Sequence, residues 1–339
     1  MKNLLDKMDA VLIHERYNVL YFTSYDNPCG YALFMGDDKY YFTNGVNFDD
    51  ASANLSGYII ADIAYIGDFV KKHNVKRIGI ESTLEQTIID SLLSNGVETL
   101  YNVDARIQRV RAIKTEDEIE LIKKAQSITD EVFPKILNEL KEGITEIELA
   151  EILENMLYSH GGTGLSFESI VAFDKNTCMP HAVRSENTLK NGSLVTMDFG
   201  AMYNGYCSDM TRTVAFGNIS DEQKKIYQHV YNAQDMALSI AHIGMTGKEC
   251  DSMSRMYFAE YGLDKYFVHT LGHGLGIEVH EYPRLSQKSN TIMEENMVVT
   301  FEPGLYFEDY CGVRIEDLCI FSKNGLINLT KSPKRLIII

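Results

Sequence analysis

The sequence lacks three features, each of which would define a class of protein. Its six cysteines form no C-x-x-C pair and no regular spacing, so neither a zinc ribbon nor a disulfide framework is indicated. No segment is apolar for long enough to span a bilayer, and the first residues have no apolar run typical of a signal peptide. We therefore expect reduced cysteines, no membrane contact and a cytoplasmic location.

Basic residues are scarce relative to acidic ones. There are 32 Lys and Arg against 48 Asp and Glu, which gives a formal net charge of −16. This balance disfavours non-specific attraction to nucleic acid or anionic membranes, because both are themselves negative. We expect no nucleic-acid partner and a mostly solvated acidic surface, in which some carboxylates could be neutralised by bound cations.

A chain of 339 residues suits two domains, each with its own core. Short apolar runs in the first third predict an α/β domain with strands at 10–13, 19–22, 58–60 and 78–80 and helices near 66–73 and 84–95. Thr115 and Glu118 form a helix-capping pattern, which predicts the start of a helix at this position. Pro134 is predicted to kink or interrupt that helix. The predicted domains are residues 1–111 and 112–339.

The second domain contains an internal repeat. The triplets at 143–145 and 244–246 (Gly-Ile-Thr and Gly-Met-Thr) each precede a helical segment, 101 residues apart. The segment 195–200 matches 299–304, 104 residues later. These matches predict two structural halves, each with helices followed by a β-hairpin. Asp198 and Glu302 then occupy equivalent positions, and a site between the halves could receive a carboxylate from each.

A second carboxylate is predicted to lie beside Asp198. Asn204 and Gly205 separate two strand-like runs and indicate a two-residue hairpin turn. In that register Gly200 lies opposite Asp209, so Asp198 and Asp209 share a face as diagonal neighbours about 7 Å apart. Such a pair is either a solvated hairpin edge or a place where a raised pKa or a divalent cation relieves the repulsion.

Three of the nine histidines, His269, His273 and His280, fall within twelve residues. A single histidine in such a stretch is more often a packed or surface residue than a ligand. The glycines at 272, 274 and 276 leave little bulk around His273, so its imidazole could approach a metal or a substrate. The cluster beside these glycines therefore favours a functional interpretation.

Glu302 and Glu316 lie on consecutive strand-like segments, where each alone could be an exposed acid. Four carboxylates and one imidazole suit a pair of divalent ions about 3.5 to 4 Å apart. The predicted ligand set is Asp198, Asp209, His273, Glu302 and Glu316. Oxygen-rich ligation favours Mn²⁺, with Co²⁺, Fe²⁺ or Zn²⁺ as alternatives. Two such ions can activate water and stabilise an oxyanion, which predicts hydrolysis of an amide.

At this point the sequence resembles the pita-bread metallopeptidases, in the branch of Xaa-Pro aminopeptidases and Xaa-Pro dipeptidases (prolidases). Five motifs occur in the family's order: Met-Asp-Phe-Gly at 197–200, Ser-Asp-Met-Thr-Arg-Thr at 208–213, Gly-His-Gly-Leu-Gly at 272–276, Phe-Glu-Pro-Gly at 301–304 and Arg-Ile-Glu-Asp at 314–317. The resemblance implies an α+β pita-bread catalytic domain with a pseudo-twofold repeat, preceded by a smaller creatinase-like α/β domain. It also implies a homodimer and cleavage of Xaa-Pro peptides or dipeptides.

The resemblance also assigns roles within the ligand set. It implies that Asp209 and Glu316 bridge both metals and that Asp198 binds one of them. His273 and Glu302 then bind the other metal, and Glu302 also carries a proton for the water between the metals.

Further family positions fall on the substrate side of the site. His181 and His280 match catalytic histidines that face the substrate, and His269 matches a histidine of the pocket wall. Arg314 resembles a pocket arginine that pairs with a carboxylate, either a ligand of the site or the substrate's own terminus. One departure is the segment 173–176, Phe-Asp-Lys-Asn, where relatives often have a glycine-containing turn. This segment could change the shape of the pocket.

Three alternatives to Xaa-Pro cleavage remain open. Methionine aminopeptidases share the catalytic half but usually lack an N-terminal α/β domain. Creatine amidinohydrolase has both domains but departs from this ligand set. A non-catalytic relative that binds a peptide or protein would typically lose ligands, whereas all five are present here.

Overall fold

The computed structural model describes residues 4–339. They divide into two compact units, one ending at Arg111 and the other beginning at Ala112. Within the described range, no helix is long and apolar enough to cross a membrane.

The first unit is a six-stranded sheet flanked by helices. Its strands are β1 (Ala10–Ile13), β2 (Tyr31–Met35), β3 (Asp38–Thr43), β4 (Ile59–Asp62), β5 (Arg77–Ile80) and β6 (Thr99–Asn102). Its helices are α1 (Arg16–Thr23), α2 (Phe48–Asn54), α3 (Ile66–Lys72), α4 (Gln86–Ser94) and α5 (Asp104–Ala112). The strand order is β4-β3-β2-β1-β5-β6, with β2 antiparallel to both of its neighbours. The two faces of the sheet carry separate apolar clusters, as expected for a sheet covered by helices.

Most of the predicted elements of this unit are confirmed, and one is wrong. The strands predicted at 10–13, 58–60 and 78–80 and the helices near 66–73 and 84–95 are present, with small shifts at their ends. Residues 19–22 are helical, within α1, instead of forming a strand. A four-residue apolar run does not distinguish the two structures by periodicity alone, and only Val19 of this helix is buried.

The second unit contains four helices and thirteen strands among the described residues. The helices are α6 (Glu116–Ile136), α7 (Glu146–Ser159), α8 (Asp221–Ile240) and α9 (Gly247–Glu260). The strands of its first half are β7 (Gly164–Leu165), β8 (Ile170–Phe173), β9 (Ser193–Phe199), β10 (Ala201–Tyr203), β11 (Tyr206–Cys207) and β12 (Met210–Phe216). Those of its second half are β13 (Gly272–Gly274), β14 (Glu281–Leu285), β15 (Val298–Phe301), β16 (Gly304–Phe307), β17 (Cys311–Arg314), β18 (Asp317–Ser322) and β19 (Gly325–Asn328).

Helix α6 begins as predicted but continues past its proline. Thr115 and Glu118 form the capping box, each side chain accepting a backbone N–H of the other residue. Pro134 lies inside the helix and does not interrupt it, because the helix runs on to Ile136 before a 3₁₀ turn. Pro134 therefore lies in the last turn of the helix. Its missing N–H removes one backbone hydrogen bond there, and few helical residues follow that position.

The internal repeat is visible in the backbone. Helices α7 and α9 both begin after a capping threonine, Thr145 and Thr246. These threonines pair with Thr188 and Ile292 through equivalent isolated bridges. Each half then has an antiparallel pair, β9 with β12 and β15 with β18. Each half also has its own large apolar cluster, so both halves pack a core behind their hairpin.

Candidate active site

The predicted hairpin carries two of the carboxylates, Asp198 and Asp209. Met202 pairs with Cys207 across the Asn204-Gly205 turn, and the same register continues to Asp198 opposite Thr211. A Cβ atom on Gly200 would lie 1.9 Å from the carbonyl oxygen of Ser208, so a side chain is excluded at this crossing. The predicted register is confirmed, and Asp198 and Asp209 are both buried.

The second half supplies the imidazole and two more acids. His273 is the middle residue of β13, and its N–H donates to Thr300 Oγ1 on β15 at 3.1 Å. Glu302 directly follows β15, and Glu316 lies between β17 and β18. A Cβ atom on Gly272 would lie 2.0 Å from the carbonyl oxygen of Thr300, so the close approach of β13 to β15 requires glycine at this position.

All nine predicted site residues line one cavity of about 460 Å³. They are Asp198, Asp209, His273, Glu302 and Glu316, with His181, His269, His280 and Arg314. One ligand atom each from Asp209, His273 and Glu316 lies within 4.8 Å of the other two. Nε2 of His273 is 3.7 Å from Asp209 Oδ2 and 3.4 Å from Glu302 Oε1. The structure therefore brings the predicted residues together from both halves of the repeat.

The carboxylates of this cluster repel one another in a buried setting. Burial, followed by the charges of Glu316 and Asp198, raises the pKa of Asp209 well above its ordinary value. Burial and the charges of Glu302 and Asp198 do the same to the pKa of Glu316. Burial also raises the pKa of Glu302 to about 8, although Arg314 opposes this change. Removing the negative charge of such a cluster requires either protons or a cation.

The neutral ring of His273 favours a cation, over protons, as the group that neutralises the carboxylates. Burial and the neighbouring His280 lower the pKa of His273 to about 3, so its ring is neutral near pH 7. Its Nδ1 lies 3.1 Å from the carbonyl oxygen of Gly274 and must donate to it, which leaves a lone pair on Nε2. That lone pair faces the carboxylates of Asp209 and Glu302, an arrangement that a cation between them would stabilise.

Three carboxylate oxygens that accept no hydrogen bond from the described residues also indicate a cation site. Asp198 Oδ1, Asp209 Oδ1 and Glu316 Oε1 are buried and accept no hydrogen bond from any residue in the described part of the chain. Buried acceptors without a partner are costly, unless an ion or water occupies the space beside them. The donor set, four carboxylates and one neutral imidazole, therefore fits hard or borderline divalent metal ions.

Arg314 is held within the wall of the cavity. Its guanidinium donates to Asp198 Oδ2 at 2.8 Å, to Thr211 Oγ1 at 3.0 Å and to Tyr306 Oη at 2.7 Å. Tyr306 lies 2.9 Å from Nε2 of His269, whose Nδ1 lies 2.8 Å from the carbonyl oxygen of Thr270. Because Nδ1 donates to that oxygen, Nε2 must accept the Tyr306 proton. Arg314 thus orients both an acid of the cluster and a histidine of the pocket wall.

Sequence reasoning missed three residues of this site. Thr211 donates to Glu316 Oε2 at 2.7 Å, and Tyr306 connects Arg314 to His269. Arg284 lies on β14 opposite His273 and lines the cavity with an exposed side chain. Thr211 belongs to one of the quoted motifs, but its partner lies 105 residues away in the sequence. Arg284 follows the histidine cluster closely, and a strand alternation from His280 could have indicated it.

The unusual segment at 173–176 has a clear local structure. Phe173 ends β8, and residues Asp174–Cys178 form a 3₁₀ turn that leads to Pro180 and His181. Asp174 has φ of +48°, in the left-handed region where glycine is the usual residue. Its carboxylate accepts a hydrogen bond from Ser193 Oγ at 2.7 Å, which holds this conformation without glycine.

Fold and site together define a metal-dependent hydrolase built from two pseudo-equivalent halves. Residues 120–323 match the model of metallopeptidase family M24, and residues 5–113 match that of the Creatinase/Prolidase N-terminal domain. The chain therefore belongs to metallopeptidase family M24. The predicted fold class, a pita-bread catalytic domain preceded by a creatinase-like domain, is confirmed.

Known relatives match over nearly the whole chain. An Xaa-Pro dipeptidase from Pyrococcus furiosus is 36% identical, and the match covers 98% of this chain and 96% of that protein. The solved structure of an Xaa-Pro dipeptidase from Bacillus anthracis superposes with a TM-score of 0.93 at 35% identity, covering 100% and 98% of the two chains. That of an X-Pro aminopeptidase from Thermotoga maritima MSB8 gives 0.89 at 31% identity, covering 98% of each chain.

Proposed function

We propose that this metallopeptidase hydrolyses the bond between an N-terminal residue and a following proline, with Xaa-Pro dipeptides as its main substrates. The observation that carries this proposal is the buried cluster of four carboxylates and one neutral imidazole in a cavity that three further histidines line. The names of the relatives support the choice of Xaa-Pro substrates, and two of the three compared proteins are dipeptidases.

Asp198, Asp209, His273, Glu302 and Glu316 would hold two divalent ions, with Asp209 and Glu316 shared between them. When bound, such ions lower the pKa of water and stabilise negative charge on the scissile carbonyl. Mn²⁺ is the proposed metal, because the donor atoms are mainly oxygen. Glu302 would accept the proton of the attacking water at a carboxylate oxygen and pass it to the leaving nitrogen of proline.

The histidines of the cavity would act on the substrate directly. Burial and the nearby Arg284 lower the pKa of His280, so its ring is a neutral hydrogen-bonding group near pH 7. His181 is exposed and lines the same cavity, from which it would approach the leaving group. Burial and Arg314 lower the pKa of His269 to about 3, which keeps this ring neutral as well. Neutral rings can hydrogen-bond the peptide without adding repulsion to the metal ions.

Arg284 is the proposed anchor for the carboxylate of a dipeptide. Among the residues that the structure describes, no carboxylate pairs with its exposed guanidinium. Replacing Arg284 with alanine is expected to raise KM for an Xaa-Pro dipeptide about 10- to 100-fold, the effect of losing one charged hydrogen bond, with a smaller change in kcat. Steady-state kinetics on a dipeptide and on its C-terminal amide measure this. Arg335→Ala, an exposed arginine, is the control. An equal rise in KM for the dipeptide and for its amide would contradict the anchoring role.

The proposed function is tested by amino-acid release from an Xaa-Pro dipeptide and from an Xaa-Pro tripeptide. Each is assayed with Mn²⁺, with Co²⁺ and after chelation. We expect cleavage of the dipeptide to be lost on chelation and restored by metal. A metal concentration about 100-fold above its Kd is also expected to stabilise the folded protein by about 2.7 kcal/mol, seen as a rise in Tm. Absence of metal-dependent cleavage of both peptides would refute the proposal.

The resemblance and the sequence support four further proposals. The functional domains are proposed to be residues 1–111 and 112–339. The protein is proposed to be a homodimer in the cytoplasm, with two metal ions per chain. Light scattering for mass and metal analysis of the purified protein would test the dimer and the metal count.

A further inference from the structure

The segment that carries His181 has little regular structure to hold it. Between the 3₁₀ turn that ends at Cys178 and the start of β9 at Ser193, the chain forms no helix or strand. His181 is exposed, and no described residue forms a hydrogen bond with its ring. The position of His181 in the cavity therefore depends on how the backbone of this segment is attached.

One buried side chain accepts five of the hydrogen bonds that attach this segment. Glu146, in the first turn of α7, is fully buried. Its carboxylate accepts hydrogen bonds from the N–H of Phe173 at 2.7 Å, from Asn176 Nδ2 at 2.8 Å and from the N–H of Ser185 at 2.9 Å. The hydroxyl of Ser185 and the amide of Asn187 also donate to it, at 2.7 and 3.3 Å.

These donors lie on both sides of His181 in the sequence. Phe173 and Asn176 precede it, while Ser185 and Asn187 follow it. One carboxylate thus closes the segment into a loop and fixes the separation of its two ends. Hydrogen bonds to a charged acceptor are about twice as strong as neutral ones, and here they also compensate for burying the charge. Within the described chain, no Lys or Arg forms an ion pair with Glu146, so the loop itself satisfies it.

The outer part of the loop is attached to the metal-site wall. Thr177 Oγ1 accepts the N–H of Gly312 at 2.7 Å, and the carbonyl oxygen of Pro180 accepts Arg314 Nη1 at 3.2 Å. Both partners lie on β17, the strand that leads to Glu316. The backbone on the N-terminal side of His181 is thus attached both to Glu146 and to the strand that leads to Glu316.

The internal repeat provides a comparison for Glu146. The equivalent position in the second half is Gly247, the first residue of α9. Its N–H donates to the carbonyl oxygen of Thr291 at 2.9 Å, just as the N–H of Glu146 donates to Asn187 at 3.1 Å. The backbone attachment is thus made in both halves, and the second half needs no carboxylate for it. The hydrogen bonds to the Glu146 side chain therefore stabilise the loop of the first half alone.

We propose that Glu146 is a positioning residue for the reaction: its buried carboxylate fixes the loop 173–187 so that His181 faces the substrate. This inference rests on the proposed function, since His181 is taken to contact the Xaa-Pro substrate. Misplacement of a reacting group by about 1 Å can cost on the order of 100-fold in rate.

Glu146→Gln is the test, because it keeps the size of the side chain but turns one acceptor into a donor facing N–H groups. Glu148→Gln is the matched control, since Glu148 lies in the same turn of α7 and, among the residues that the structure describes, accepts only the exposed N–H of Thr145. We expect Glu146→Gln to lower kcat/KM for an Xaa-Pro dipeptide about 10- to 100-fold, with unchanged metal content. The amides of Phe173 and Ser185 should also exchange hydrogen faster. Glu148→Gln should change neither kcat/KM nor the exchange of these amides.

Three results would overturn or redirect the inference. If Glu146→Gln lowers Tm but leaves kcat/KM per folded molecule equal to that of Glu148→Gln, then Glu146 is structural only. If it does not fold, Asn176→Ala removes a single donor, and unchanged kinetics with unchanged amide exchange in that variant would refute the proposal. If the unmodified protein cleaves no Xaa-Pro peptide, the proposed function fails, while unaltered exchange at Phe173 and Ser185 in Glu146→Gln would separately refute the loop attachment.

Discussion

Asp209→Asn is expected to abolish both metal binding and peptide cleavage while leaving the catalytic domain folded. Asp209 is buried within the carboxylate cluster, and its Oδ1 accepts no hydrogen bond from the described residues. Asparagine has almost the same volume but removes the charge that the two ions would share. Loss of that charge is expected to lower kcat/KM by at least the order of 10²- to 10³-fold found when one electrostatic contact to a transition state is removed.

Stability separates this result from simple unfolding. Without metal, burial and the charges of Glu316 and Asp198 oppose ionisation of Asp209, so the asparagine variant should be at least as stable as the metal-free protein. With Mn²⁺, only the unmodified protein should gain in Tm. Asp309→Asn, an exposed aspartate with φ of +57° that asparagine also adopts, is the matched control. Full turnover by Asp209→Asn would contradict the assigned ligand set.

The parts of the site that local rules govern could be predicted from the sequence. The Asn204-Gly205 turn determines the hairpin register, and that register determines which face Asp209 shares with Asp198. Likewise, the 101- and 104-residue offsets predicted the equivalence of the two halves. The hairpin was predictable because strand alternation and turn geometry act over a few residues, and the two halves were predictable because a repeated sequence folds into a repeated structure.

The remainder depends on contacts between distant segments. Arg314 pairs with Asp198 116 residues away, and the hydroxyl of Thr211 reaches Glu316 across 105 residues. Glu146 occupies a helix start whose sequence predicts only a cap, yet its carboxylate is buried under a loop 27 to 41 residues later. The helix at 16–23 was missed for a different, local reason, because a four-residue apolar run carries too little periodicity to identify a helix.

Glu302→Gln is expected to lower kcat but to keep part of the bound metal, whereas Asp209→Asn is expected to lose both metal and activity. Glu302 is proposed both to bind one metal and to carry the proton between water and the leaving nitrogen. Four ligands remain in the glutamine variant, and its amide oxygen can still coordinate, so part of the metal should stay bound at saturating Mn²⁺. General acid–base catalysis typically contributes 10²- to 10⁴-fold, and we expect kcat to fall by about this factor with a smaller change in KM.

Comparison of Glu302→Gln with the unmodified protein at equal metal content tests the proton role. A carboxylate can take a proton from water and release it again, whereas an amide cannot. Glu308→Gln, an exposed glutamate just beyond β16, controls for the loss of one acid nearby. A Glu302→Gln protein with two bound metals and normal kcat would limit Glu302 to ligation. Loss of metal as complete as in Asp209→Asn would mean that its ligand role dominates, because the proton step could then not be reached.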